Sequence, residues 1–191
     1  MRKKEPKRDV ILKSAKELYW KYGFKRVSVE EICKKAEISK MTFYRFFSSK
    51  IEVAKGIFDK EMQEGILKFR SVMQEDIHPG EKIKKIILLN TEGTNNMSSE
   101  FMADFFTSSE PELKEFIERG VKNVWNEVIK DLKKAQQKGW FTKNIKPELL
   151  MHISLKSIEI ISDKELLKLY STPQELLIEY VNLISYGITK K

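Results

Sequence analysis

A single cysteine, Cys33, stands alone in the chain, so no intrachain disulfide can form. With His78 and His152 as the only imidazoles, no zinc set of the Cys/His type can be assembled. Eight glycines and five prolines in 191 residues are about half the usual share of roughly 12%. No two glycines are spaced G-x-G, and neither a G-x-x-x-x-G-K loop nor a G-x-S-x-G elbow occurs, so the common phosphate-cradle and hydrolase signatures are absent. The longest run of strong hydrophobes, Ile86 to Leu89, is far short of the roughly 20 residues of a membrane-spanning helix. Near the N-terminus, Asp9, Lys13, Lys16 and Glu17 interrupt any apolar stretch of the kind a signal peptide needs, so the expected compartment is the cytoplasm. No nucleophile is spaced with a base and an orienting group, which argues against an enzyme and implies no cofactor and no metal. His78 beside Pro79 reads as a turn residue, His152 among Leu149, Leu150 and Ile153 as a core or interface histidine, and Cys33 as a small hydrophobe on a helix face.

What the chain does have is charge and helical periodicity. It is 34% charged and 41% hydrophobic with a formal net charge of +8. Residues 1–60 hold 17 Lys/Arg against 8 Asp/Glu, and residues 61–191 hold 19 against 20, so the basic excess is entirely N-terminal. Concentrated positive charge suits the neutralisation of nucleic-acid phosphates, although a solvated tail with ordinary surface lysines carries the same count.

Ile11, Ala15, Leu18 and Tyr22 recur on one helix face, and Gly23 ends that helix. Ser28-Val-Glu-Glu31 is a capping box that opens a second helix with Val29, Ile32, Cys33 and Ala36 on its apolar face. After the break Glu37-Ile38-Ser39, a third helix starts from Ser39 as N-cap and runs Lys40-Met-Thr-Phe-Tyr-Arg-Phe46, too short to be stable alone. Phe43 and Phe47, four apart, can bury against the first two helices and leave Lys40, Met41, Thr42, Tyr44 and Arg45 on the remaining surface. Such a helix suits the major groove: Lys40 and Arg45 can meet phosphates or guanine, Thr42 and Tyr44 can donate to phosphate oxygens, and Met41 can pack on a thymine methyl. A small amphipathic helix with a solvated polar face has the same spacing. Further helices are predicted from about Lys50 to His78-Pro79-Gly80, then over 81–91, 98–107, 111–138, 147–162 and 173–188, with Thr172-Pro-Gln-Glu175 as another capping box. No strand pattern competes, and the predicted class is all-α.

Residues 9–58 resemble the N-terminal helix-turn-helix domain of TetR-family transcriptional regulators. The matching elements are Tyr22-Gly23-Phe24, then Ser28-Val29-Glu30-Glu31-Ile32 with Ala36, then Ser39 through Phe47, followed by Ser49-Lys50. The resemblance implies an all-helical homodimeric repressor with a C-terminal domain that binds a small molecule and a dimer interface built from the last two long helices. Residue by residue it implies phosphate contacts from Ser28, Thr42, Tyr44 and Lys50, and base-edge reading from the exposed face of residues 39–45. The expected organisation is a DNA-binding domain over 1–48 and an effector-binding and dimerisation bundle over 49–191. The family often has glycine where this chain has Glu37 and Met41. Should residue 37 sit at positive φ, a side chain there costs on the order of 1 kcal/mol. Bulk at Met41 makes sequence preference non-transferable from relatives.

Beyond residue 60 no motif stands out. Met97, Phe101, Phe105, Trp125 and Met151, with Phe106 and Trp140, are numerous enough to line a pocket for a small apolar or amphipathic ligand, to which Asp104, Glu92 or Glu100 can offer a counter-charge. Aromatic and methionine residues at helical spacing are also ordinary core. The helices over 147–162 and 173–188 are too apolar for one-sided burial, and pairing them across a two-fold axis yields a homodimer, against the simpler reading of a monomeric bundle core. Two rival functions follow: a DNA-binding protein governed by a protein partner without a small-molecule effector, and an enzyme with a basic surface.

Overall fold

The computed structural model describes residues 6–82, 85–86, 89, 98, 101, 104, 110–161 and 163–187. The helices bounded within them are α1 Lys7–Tyr22, α2 Val29–Lys35, α3 Lys40–Phe46, α4 Lys50–Gln74, α5 Pro111–Gln137, α6 Pro147–Ile161, α7 Lys164–Leu167 and α8 Pro173–Gly187. No strand occurs among the described residues, and the protein is all-helical, with an N-terminal helix-turn-helix followed by a C-terminal helical domain. Much of 81–91 and 98–107 lies outside the described residues. Contacts gather the chain into two compact units, Met1–Glu61 with Asn96–Ile117 and Met62–Asn95 with Glu118–Lys191.

The first unit is organised around the face that α1 buries. Ile11, Leu12, Ala15 and Tyr19 follow the helical period and are buried together with Phe24, Val27, Ile32, Phe43, Val53 and Ala54. Gly23, at φ 83°, turns the chain out of α1 in a conformation that a side chain would resist. Gly56 on α4 allows close approach to α1, since a Cβ there would stand 3.0 Å from Leu12 Cδ2. Helix α2 begins with the capping box in full: Ser28 Oγ accepts from the Glu31 amide at 3.2 Å, and the Glu31 carboxylate accepts from the Ser28 amide at 2.8 Å.

The exit from α2 is a Schellman turn. The Ile38 amide donates to the Cys33 carbonyl at 3.0 Å and the Glu37 amide to the Lys34 carbonyl at 3.3 Å. Its left-handed position is occupied by Glu37 at φ 53°, the one non-glycine at positive φ among the described residues. Helix α5 ends in the same motif, with Trp140 bonded to Ala135, Gly139 bonded to Gln136, and glycine at the left-handed position, φ 74°.

In the second unit Met73, Leu132, Ala135, Phe141 and Leu150 form a core against which Phe69, Ile86, Trp125, Val128, Trp140 and Ile145 pack. Arg70 joins α4 to α5 through Glu127 and Asp131, each at 2.9 Å. The carbonyls at the C-terminal end of α4 are closed by Lys82, a fully buried lysine whose ammonium donates to Val72 O at 3.2 Å, Met73 O at 3.1 Å and Glu75 O, and lies 4.4 Å from the centroid of the Trp140 ring. Helix α6 packs on α8, where the Tyr180 hydroxyl donates to Ile153 O at 2.9 Å. The start of α8 differs from the expected box: Thr172 Oγ1 accepts from the Glu175 amide at 3.3 Å, but the Glu175 carboxylate reaches one residue further back and accepts from Ser171 N at 2.9 Å.

Candidate DNA-binding surface

Seven residues of α3 cannot hold a helix in water, so its geometry comes from below. Phe43 is 0% exposed and Phe47 is buried beside it, ring centroids 6.1 Å apart, with the Arg8 guanidinium 5.2 Å from the Phe47 centroid. Ser39 caps the helix by accepting from the Thr42 amide at 3.1 Å, and the hydroxyls of Ser39 and Thr42 are 3.0 Å apart. Opposite the buried rings, Met41 is 84% exposed and Tyr44 is 56% exposed, and Lys40 and Arg45 are exposed with them. The Tyr44 ring stands edge-on to Phe43 at 5.4 Å, which fixes its direction, and Arg45 lies 5.2 Å from the centroid of the Phe46 ring.

Two of these groups already have partners. Lys40 pairs with the Glu30 carboxylate of α2, and that contact raises the lysine pKa and lowers that of Glu30. Ser28 Oγ donates to the Glu31 carboxylate at 2.8 Å, and its bonds hold the Glu31 pKa below the ordinary value. Burial raises the Cys33 pKa, in keeping with an inert thiol.

Lys50 is the site residue whose surroundings depart most from the sequence reading. Its ammonium donates to Lys25 O at 3.0 Å, Phe24 O at 3.1 Å and Val27 O at 3.3 Å, and lies 4.6 Å from the centroid of the Phe24 ring. A lysine has three donors and no acceptor, so all three are engaged by the α1–α2 loop. Burial lowers its pKa.

The residues expected to hold an effector fall in both units or outside the described residues. Met97 and Phe105, with Glu92, Glu100 and Phe106, lie outside the described residues. Phe101 belongs to the first unit, buried with its ring 4.3 Å from that of Trp20, and Asp104 is there too, bonded to Lys25. Trp125 and Met151 are half-buried in the second unit. Phe101 is thus engaged with α1 and Asp104 with the loop that follows it. His152 is exposed rather than in the core, while His78 is the turn residue expected, its Nδ1 accepting from Gly80 N at 3.2 Å. The sequence reading missed the hold of Asp104 and Lys50 on the loop, since partners 79 and about 25 residues apart leave no periodic signal. No cluster of three or more His, Cys, Asp or Glu suited to a metal occurs among the described residues, and no described helix is long and apolar enough to cross a membrane.

A short helix anchored by two phenylalanines, following a capped helix across a tight turn and displaying basic, hydroxyl and aromatic groups, defines a helix-turn-helix DNA-binding module. Residues 11–57 match the family model described as bacterial regulatory proteins, tetR family. Over that segment the chain carries the DNA-binding domain of this family of transcriptional regulators. It is 25% identical over 153 residues to the HTH-type transcriptional regulator UidR of Escherichia coli K12, covering 79% of this chain and 77% of the relative. It is 28% identical over 192 residues to the HTH-type transcriptional regulator YdgC of Bacillus subtilis, covering 95% and 92%. The fold is shared with the fatty acid degradation regulator FadR from Bacillus halodurans, at 22% identity, TM-score 0.74 and 97% coverage of both chains. Salmonella enterica GusR has the same fold at 19% identity and TM-score 0.69, with 96% of this chain and 98% of that one covered.

Proposed function

We propose that this regulator is a homodimeric, cytoplasmic repressor that reads an operator half-site with each α3 and is released by a small apolar or amphipathic ligand. The observation that carries the DNA-reading part is the two-sided character of α3, with Phe43 fully buried and Met41 and Tyr44 exposed on the other flank. Ser39, Lys40, Met41 and Arg45 face base edges in this reading, and Ser28, Thr42 and Tyr44 contact phosphate. The division of labour places the reading head in residues 1–48 and sensing and dimerisation in residues 49–191.

Dimerisation is supported by apolar side chains without cover on the last two long helices, Leu149 and Ile160 on α6 and Leu183, 75% exposed, on α8. A two-fold pairing there buries them and sets two heads one DNA turn, about 34 Å, or a larger repeat apart. A ligand releases DNA only through its preference for the conformer whose heads misfit the operator. Helix α4 begins in the first unit and ends in the second, so it is the continuous element along which that preference can act.

One observation favours a second reading, control by a protein partner without a small-molecule effector. The cavity lined by Leu132, Gln136, Phe141, Thr142, Ile145, Pro147 and Leu150 measures about 10 Å³, room for about one water. The test is selection of duplexes from a random-sequence pool, followed by gel-shift titration of the wild type, Tyr44→Phe and Arg45→Ala, with sedimentation of the wild type and Leu183→Glu. A palindromic selected site, weaker binding by both head variants and a monomeric Leu183→Glu support the proposal. Unchanged binding by both head variants refutes the reading surface, and an unchanged dimer in Leu183→Glu refutes the interface.

A further inference from the structure

The loop between α1 and α2 is held by two residues remote in sequence. One is Lys50, whose ammonium donates to the carbonyls of Phe24, Lys25 and Val27. The start of α4 is itself fixed to α1, because the buried Tyr19 hydroxyl donates to Lys50 O at 3.2 Å. The other is Asp104, whose carboxylate accepts from the Lys25 amide at 2.9 Å and stands 3.6 Å from the Lys25 ammonium. Its segment is joined to the end of α1 twice more, by Ser98 N donating to Trp20 O at 2.8 Å and by Phe101 stacking on Trp20. The last carbonyl that Lys50 holds belongs to Val27, and the next residue is Ser28, N-cap of α2.

We propose that Lys50 and Asp104 are positioning residues for DNA reading, both holding the α1–α2 loop and so setting α2, with Lys50 acting through the loop carbonyls rather than as a ligand of phosphate. The proposal rests on the DNA-reading function above and assigns Lys50 a different role within it. A phosphate ligand needs a free donor, and Lys50 has none while the three carbonyls hold it. Asp104 sharpens the assignment, since a carboxylate near a basic reading head opposes phosphate by charge alone. Its retention at the loop is accounted for by the amide it accepts. A conformer that withdraws Asp104 removes one of the two holds on the loop.

The experiment measures operator affinity against salt for the full-length wild type, Lys50→Met and Asp104→Ala, on a duplex taken from the random-pool selection, with amide hydrogen exchange of the free proteins. Each phosphate contact contributes about 0.9 to the slope of log K against log salt. Lys50→Met is expected to bind about tenfold more weakly with the slope unchanged. Asp104→Ala is expected to bind more weakly as well, although it removes a negative charge, and to exchange its Lys25 amide faster. A slope smaller by about 0.9 in Lys50→Met makes that lysine a phosphate ligand and overturns the proposal. So does equal or tighter binding by Asp104→Ala, or a Lys25 amide that exchanges at the wild-type rate. If Lys50→Met does not fold, the two Asp104→Ala readouts decide. A wild type that prefers no duplex in the pool overturns the DNA-reading function itself, a result none of the variant outcomes can mimic.

Discussion

Glu37 holds the left-handed position of the turn between α2 and α3, and its replacement by glycine gives a direct measure of the strain in the reading head. A left-handed conformation costs a residue with a Cβ about 1–2 kcal/mol. Glycine returns about 0.5–1 kcal/mol of that through its larger conformational freedom in the unfolded chain. The difference, a gain of about 0.5–1 kcal/mol for Glu37→Gly, corresponds to a rise in Tm of about 1–4 °C in a chain of this size. A further increment comes from the carboxylate, which sits just past the C-terminus of α2, where the helix dipole disfavours negative charge. Glu37→Gln removes that charge while keeping the strain, so the two variants separate the contributions. Urea denaturation with an unchanged m-value is the assay. The opposite substitution at the equivalent turn, Gly139→Ala, should lose about 1 kcal/mol: an added Cβ meets nothing within 4 Å, which leaves backbone strain as the cost. A Glu37→Gly protein no more stable than wild type, alongside a Gly139→Ala protein that is destabilised, would show that the turn at 37 relaxes to accept its side chain and would refute this accounting.

Four further outcomes are expected. Glu30→Gln removes the partner of Lys40 and should tighten operator binding, steepening the salt slope by up to about 0.9; gel shifts at several salt concentrations check it, and unchanged affinity means Lys40 makes no contact. Because the folded pKa of Glu31 lies below its ordinary 4.5, the contribution of its ionised capping box is complete above about pH 4.5 and is lost as pH falls through the folded value. Stability measured from pH 7 down to pH 3 should therefore fall less steeply in Glu31→Gln than in wild type, and equal slopes would remove the linkage. Lys82→Met leaves the carbonyls at the end of α4 without their donor and should destabilise by about 1–3 kcal/mol; a denaturation midpoint at or above that of the wild type contradicts it. Met41→Gln should change stability by less than about 0.5 kcal/mol, as exposed positions do, yet shift the sequences recovered from the random pool; identical selected sequences would mean that Met41 reads no base.

The reading head was legible because its signals are local. The capping box at Ser28, the N-cap at Ser39 and the four-residue spacing of Phe43 and Phe47 each act within one or two turns, so sequence order is enough to place them. The ends of α1, α5 and α8 were legible for the same reason, through Gly23, Gly139 and Pro173. The assignment of Phe101 and Asp104 to a ligand site came from composition, and composition carries no direction. Only the fold reveals that Phe101 meets Trp20 and that Asp104 meets Lys25, contacts made across some eighty residues of chain. The hold of Lys50 on the loop was not legible for a related reason. A lysine at the start of a helix has a stem long enough either to reach outward or to fold back, and three aligned carbonyls with no sequence mark of their own decide which.

These features divide stability from recognition in the same short helix. The energy that holds α3 lies in Phe43 and Phe47, where truncation of a buried phenylalanine costs about 3–5 kcal/mol. The groups proposed to meet DNA, Lys40, Met41, Tyr44 and Arg45, are exposed and contribute little to folding. The reading flank can therefore change without unfolding the head, whereas the buried flank cannot. What couples the two is position rather than composition: α3 points where α2 and its turn direct it, and α2 starts where the loop held by Lys50 and Asp104 ends. On the role proposed for Lys50 and Asp104, a change in operator affinity that leaves the reading residues untouched has a physical route through the loop, and that route runs to Ser98, Phe101 and Asp104, which sequence order places far from the head.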